Sequence, residues 1–380
     1  MKKVIFDVDG VLLSEEHYYD ASALTICEIL YSKDYMGLSA EGVDFISQNI
    51  TEGMTASCRN KVWGNNRLLA WLKSKGINSN WDMVHIYLIT VLWILAGIYR
   101  DRSEGDRISL SLGTIEDIKR AGMKLMGLPI PDADDILNQW KKSIPESVEG
   151  AEVINCLVHE MKRDFEDPVE WGEPCSCFWK IHTEAFQNWY LGDDLFISFL
   201  HKMPYSGGKE GFLNKESPLV SAEEIRQLFI RLKRAGFELG IATGRSREEM
   251  MIPFKNFKWY EEFDPLYMAT ASDAVEASCM FSCPIPDKPA PFIYSCAIYG
   301  RNKDNYSVYL EEKMKPSSED EIYVCGDSYS DIIGSRKAGT RFIGIFTEIN
   351  GIKQNISDSG NLSFVNKVTD IEQLLLNERG

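Results

Sequence analysis

Two carboxylates stand two residues apart at the end of the first apolar run of the chain, in Val4-Ile-Phe-Asp7-Val-Asp9-Gly10. A turn that stops a strand would use such residues, and so would a site that moves a phosphoryl group. The second use needs a nucleophile, a cation to offset charge on both reactants, donors for the phosphoryl oxygens and an acid for the leaving oxygen. Three later stretches carry residue types that meet those needs: Thr243-Gly244-Arg245, Lys288-Pro-Ala-Pro291 and Gly326-Asp327-Ser-Tyr-Ser-Asp331. Asp7, Asp9 and Asp327 make an all-oxygen environment suited to a hard cation, for which magnesium is the natural candidate. Thr243 offers a hydroxyl and Lys288 a point positive charge. Any one of these stretches alone reads as a turn or a solvated loop; the set, in order, reads as a site.

The elements that must position these residues are legible around them. Val4-Ile-Phe6 reads as a short buried strand, and the next comparable pattern is Phe237 to Thr243. Further strands are expected over Pro265 to Thr270, Glu321 to Cys325 and Arg341 to Phe346, with helical patterns between them. Apolar strands alternating with helices indicate a parallel sheet covered on both faces. Each motif then falls at the C-terminal end of a strand or in the loop beyond, where ligands of open parallel sheets bind. Ser221 and Glu224 mark a capped helix start, with Ile225, Leu228, Phe229 and Leu232 on one face; Thr369 and Glu372 suggest the same device on the last helix.

Between the first strand and the second lies a long stretch with helical patterns and many Trp and Tyr, for example Arg67 to Lys73 and Ile154 to Phe165. The expected domains are therefore an α/β core from residues 1–14 and 215–380 and an inserted, mostly helical domain over 15–214. Tyr205-Ser-Gly-Gly-Lys209 reads as a flexible linker near its end. No internal repeat or low-complexity tract is evident.

The motifs Asp7-x-Asp9-Gly-Val, Thr243-Gly, Lys288-Pro and Gly326-Asp327-x3-Asp331 resemble, in order, those of the haloacid dehalogenase superfamily of phosphohydrolases. The resemblance implies a Rossmann-like three-layer core with a mainly parallel sheet, and a helical cap inserted after the first strand, as in the phosphoglycolate phosphatase and β-phosphoglucomutase-like subclass. It implies that Asp7 is the nucleophile that forms an aspartyl-phosphate and that Asp9 is the general acid and base. Thr243 and Lys288 would hold phosphoryl oxygens, with Lys288 also restraining Asp7. Magnesium would be held by Asp7, the Asp9 backbone carbonyl and Asp327, with support from Asp331. Dehalogenases of this group lack the second aspartate, because halide departs without a proton; Asp9 favours phosphoryl chemistry.

A cap over such a site implies a small phosphorylated metabolite as substrate. Candidate contacts are Gly244 and Arg245 beside Thr243, and Glu15 and His17 where the chain leaves the first strand. Ser328 is expected to cap the following helix, and Trp63, Trp71, Trp81 and Trp93 to pack the core of the insertion. The alternatives are a phosphomutase or phosphonatase on the same core, or a non-catalytic protein whose insertion binds a ligand or a protein.

Composition bounds the rest. The 380 residues carry 41 Lys+Arg against 57 Asp+Glu, a net charge of −16, which disfavours nucleic acid and anionic membranes as partners. At this length two domains are expected, since single cores rarely grow past about 250 to 300 residues. Nine scattered cysteines and no leader pattern point to free thiols in the cytoplasm. Cys175-x-Cys177, Cys279-x3-Cys283 and His182 do not make up a zinc set. The apolar run Met83 to Tyr99 is at the short limit for crossing a bilayer and is expected to be a buried helix.

Overall fold

The computed structural model describes residues 1–38, 45–166, 168–282, 285, 288–346 and 362–377. The chain divides into two compact units, Met1–Glu15 with Leu213–Gly380, and Glu16–Phe212.

The first unit is built on a parallel sheet. Its described strands are β1 (Lys2–Phe6), β2 (Glu238–Ala242), β3 (Met268–Ala269), β4 (Glu321–Gly326), β5 (Arg341–Ile345) and β6 (Leu362–Val365), in the order β3-β2-β1-β4-β5-β6. Every pairing is parallel. Successive side chains of β1 point to opposite faces: Val4 and Phe6 join one apolar cluster with Ile225, Leu228 and Phe229, while Ile5 joins the other with Phe292, Ile293 and Val324. Helices thus cover both faces, and the three-layer α/β core follows. The connection order reverses across β1, with β2 on one side and β4 on the other, so the C-terminal ends of these three strands border one crevice.

Two details depart from expectation. The strand expected from Pro265 is shortened to Met268–Ala269, because Pro265–Tyr267 forms a 3-10 turn in which the Asp264 carboxylate caps the Leu266 amide at 2.9 Å. Thr369 does not cap the last helix. It lies inside the turn Val368–Asp370, where the Lys367 amide donates to Asp370 at 3.2 Å, and Glu372 instead accepts from Arg231 at 2.7 Å. The Ser221–Glu224 capping box is formed.

The second unit is helical. Asn80–Arg102, which contains the apolar run, is the one helix among the described residues long and apolar enough to cross a membrane, and most of its apolar stretch is buried within the unit. Trp63 and Trp93 are buried, and Trp71 stacks on Trp140 with centroids 5.2 Å apart. The Gly-Gly turn after Tyr205 is not a loose linker. Lys209 donates to Glu28 at 2.8 Å, and the Gly208 amide donates to Asp193 at 2.6 Å, so buried charge holds this turn within the unit. The described cysteines form no disulfide; Cys175 and Cys177 are exposed, and Cys283 lies outside the described residues.

Candidate active site

The strand-end aspartates are brought together by the turn after β1. The Asp7 amide donates to the Cys325 carbonyl of β4 at 2.8 Å, which fixes the first carboxylate against the strand that leads to Asp327. The following residues fold back tightly: the Leu12 and Leu13 amides both donate to the Val8 carbonyl at 2.9 Å, and Val8, Val11, Leu12 and Leu13 are buried. Gly10 sits at φ +69°, and a Cβ on it would lie 1.9 Å from Asp327 Oδ2. The Asp-Gly pair therefore does two things. It turns the chain and leaves room for the carboxylate arriving from β4.

Around Asp7 the charges are closely set. Lys288 Nζ lies 2.8 Å from Asp7 Oδ1 and 2.9 Å from Asp331 Oδ1. Asp331 is in the first turn of helix Tyr329–Ala338. Its Oδ1 also accepts from the Tyr294 hydroxyl at 2.8 Å, and its Oδ2 accepts from the Ser328 hydroxyl at 2.5 Å and the Ser328 amide at 3.2 Å. Ser328 caps that helix as expected. Carboxylate oxygens of Asp7, Asp327 and Asp331 all lie within 4.8 Å of one another.

Burial and the carboxylates of Asp331 and Asp9 outweigh the attraction of Lys288 and push the Asp7 carboxyl up to about 7. For Asp331 the opposing effects fall the other way: burial raises it, but Lys288, Ser328 and Tyr294 together hold it below the usual carboxylate range. Lys288 is held well above its ordinary value by the same two aspartates despite its burial. Three carboxylates thus lie together, with one ammonium bridging Asp7 and Asp331, an all-oxygen set that fits a hard divalent cation. The four lone-pair directions of Asp331 are already taken by Lys288, Tyr294 and Ser328. Asp7 and Asp327 are the side chains that would hold the metal directly, with Asp331 fixing the lysine.

Asp9 has its carboxylate outside this cluster, as a residue expected to offer the cation its backbone carbonyl can. Its side chain turns to Arg245, whose Nε donates at 3.0 and 3.1 Å to its two oxygens. Asp331 fills the third place in the acidic cluster. Arg245 is buried and bonded to carboxylates, so its local role is that of a counter-ion. Thr243 is buried at the end of β2, with its hydroxyl accepting from the Arg245 amide at 3.2 Å. Gly244 is exposed, with open space where a Cβ would be.

The remaining candidates belong to the chain exit from β1. Glu15 is half-buried and closes the first segment of the core unit. His17 belongs to the helical unit, where it stacks on Phe212 at 5.2 Å and has Nδ1 3.4 Å from Asp20. Sequence reasoning missed Tyr294, which orders Asp331, and Glu216, which pairs with Arg245 at 3.1 Å. Neither is marked by a local pattern; only proximity across the fold identifies them.

A parallel sheet ordered about a central first strand, with an aspartate pair at the end of that strand, Thr243 at the end of β2, and Lys288 and the Asp327–Asp331 pair gathered on Asp7, has the architecture and motif order of one group of proteins. This is the arrangement that the resemblance of the sequence motifs to the haloacid dehalogenase superfamily implies. The helical unit, Glu16–Phe212, follows the first strand directly, at the place where that resemblance expects a helical insertion.

Over its whole length the chain is similar to a protein whose X-ray structure was determined as a Northeast Structural Genomics Consortium target. The two are 30% identical, with 100% of this chain and 99% of the other covered and a TM-score of 0.73. Fainter likenesses are a HAD hydrolase, family IA, variant 3, from Entamoeba histolytica and CbbY from Rhodobacter sphaeroides in complex with phosphate. The first is 12% identical, covering 97% and 95% of the two chains, with a TM-score of 0.40. The second is 13% identical, covering 98% and 96%, with a TM-score of 0.37. Scores this low do not by themselves establish a shared fold. No family model and no curated protein matches the sequence.

Proposed function

We propose that the protein is a magnesium-dependent phosphoric monoester hydrolase that acts on a small phosphorylated metabolite through an aspartyl-phosphate on Asp7. The observation that carries this reading is the convergence of Lys288 on Asp7 and Asp331, 2.8 and 2.9 Å away, beside Asp327. A carboxylate meant only for stability would not be buried among two others with a single cation between them.

In this reading the Asp7 carboxylate attacks phosphorus, and the bond from phosphorus to the ester oxygen breaks. Asp9 gives its proton to that leaving oxygen. Lys288 and the Thr243 hydroxyl hold phosphoryl oxygens, where charge is retained through the transition state. Water then attacks the phosphorus of the aspartyl-phosphate, Asp9 takes the proton, and Asp7 and inorganic phosphate are released. A magnesium ion bound by Asp7 and Asp327 would supply the positive charge that lets an anionic carboxylate meet an anionic ester. The helical unit is proposed to select the substrate, and the setting is proposed to be the cytoplasm, with no nucleic acid or membrane as partner.

The test is a panel of small phosphate esters incubated with the full-length protein, with and without magnesium. Magnesium-dependent release of inorganic phosphate from at least one ester is expected. Release from none overturns the reading, and recovery of an isomerised phosphate ester in place of free phosphate converts it to a phosphomutase.

A further inference from the structure

Arg245 and Glu216 form a buried pair that the reaction above does not use. Their side chains are each 1% exposed, while Asp9, the third member of the group, is 24% exposed. Arg245 Nη2 donates to Asp9 Oδ1 at 2.5 Å and to Glu216 Oε1 at 3.1 Å, and its Nε is shared between the two Asp9 oxygens. A guanidinium is a rigid planar fork, so a carboxylate held by two of its nitrogens has both its position and its plane fixed. Taking that guanidinium out of water requires a counter-charge, which Glu216 supplies at the same nitrogen, Nη2.

The two ends of this group are themselves anchored. Arg245 is tied through its backbone to Thr243 and to Ala271, whose amide donates to the Arg245 carbonyl at 2.9 Å. Glu216 precedes a segment zipped to the chain leaving β1: the Ser14 amide donates to the Ser217 carbonyl at 2.8 Å, and the Leu219 amide to the Leu12 carbonyl at 3.1 Å. The buried Glu249 faces the same guanidinium from helix Arg247–Asn256, where it caps Ser246. The two oxygens of Asp9 are not equivalent. Among the described residues, Oδ1 takes two donors, Nε and Nη2, whereas Oδ2 takes the shared Nε alone.

We propose that Arg245 and Glu216 are positioning residues that orient the Asp9 carboxyl so that its Oδ2 transfers the proton to the leaving oxygen. This rests on the reading of Asp9 as the general acid. It assigns to Arg245 a role in proton transfer in place of phosphate binding, and makes the residue at the return of the helical insertion part of the machinery of the core.

The test uses the full-length protein with magnesium and two aryl esters of similar shape. Phenyl phosphate needs a proton on its leaving oxygen, and p-nitrophenyl phosphate needs it far less. The rate of the first, enzyme-phosphorylating turnover is followed by rapid quench in the wild type, Asp9→Asn, Glu216→Gln and Arg245→Lys. Asp9→Asn defines the full split between the esters. Glu216→Gln and Arg245→Lys are each expected to lower the phenyl phosphate rate about 10- to 100-fold and the p-nitrophenyl phosphate rate by less than about 3-fold, within the span that general acids contribute. Because the readout is a ratio measured in one preparation, a smaller folded fraction cancels, and either variant suffices. Loss of both rates by a common factor, or of neither, overturns the positioning role while leaving the hydrolase reading intact. A wild type that turns over p-nitrophenyl phosphate but no faster with magnesium, or neither ester at all, overturns this role, and the hydrolase reading falls with it only if the panel of small phosphate esters also yields no magnesium-dependent phosphate.

Discussion

The buried charge around Glu28 in the helical unit and around Asp7 in the core is arranged in opposite ways. In the helical unit a buried carboxylate and a buried ammonium are matched one to one. Glu28 and Lys209, with side chains 0% and 1% exposed, pair at 2.8 Å, and Glu28 also accepts from Trp189 at 2.8 Å. Burial pushes Glu28 up and Lys209 down, each against the pull of the other. His85 and His182 meet at 2.9 Å, and because His85 Nε2 donates to the Gly172 carbonyl at 2.8 Å, its Nδ1 accepts from His182. In the core, three carboxylates gather, and one lysine bridges two of them, Asp7 and Asp331. A matched pair balances its own charge, whereas an excess of carboxylates at strand ends is held in place by the fold and is open to a cation.

The sharpest break in that comparison is expected from Asp7→Asn. Removing the nucleophile should lower phosphate release by at least about 10⁴-fold, while the thermal unfolding midpoint should not fall, since one member of a repelling cluster is neutralised. A drop in the midpoint with activity retained would remove the contrast. In the helical unit the converse holds: Lys209→Met leaves Glu28 buried and unpaired, and should cost about 3 to 5 kcal/mol in urea unfolding. Adding Glu28→Gln should recover part of that loss, and a double variant as unstable as the single one would show that the pair is not the cause.

Two smaller effects sharpen the same contrast. Gly10→Ala pushes a methyl group into Asp327 and should raise the magnesium concentration for half-maximal activity about 10- to 100-fold, the scale on which supports of metal ligands act. An unchanged magnesium requirement would show that Asp327 can shift without consequence. The buried histidines make the helical unit sensitive to acid. Burial lowers His85 from its ordinary 6.5 to about 4, and burial together with His85 lowers His182 well below 6.5. Both are neutral in the folded and unfolded chains above pH 6.5, so their contribution is complete there. As the pH falls from 6.5 towards 4, the unfolded chain takes up protons that the folded chain refuses, and stability drops by up to about 1.4 kcal/mol per pH unit for each histidine. Urea unfolding of His182→Phe across this range should show a shallower slope, and an unaltered slope would place the acid sensitivity elsewhere.

Much of the core was legible because its signals are local. Continuous apolar runs marked β1, β2, β4 and β5, since strands covered on both faces need apolar residues throughout. The short β6, Leu362–Val365, was not legible: it is only half-buried and lacks such a run. The Gly-Gly turn after Tyr205 was misread as a linker because flexibility was judged from local composition. Its anchor, Glu28, lies 181 residues away in sequence. The partner of the Asp9 side chain, Arg245, has no local signal, being 236 residues distant.

By itself, the sequence determined which residue types stand at the ends of the core strands and in what order, because strand periodicity, turns and motif spacing are properties of neighbouring residues. Only the tertiary structure decided how the charges are shared. It gathered Asp7, Asp327 and Asp331, bridged Asp7 and Asp331 with Lys288, turned the Asp9 carboxylate away to Arg245, and brought Glu216 to the same guanidinium. The physical reason is range: an electrostatic partner is chosen by a few ångströms of space in a buried environment, and separation along the chain carries no record of that distance.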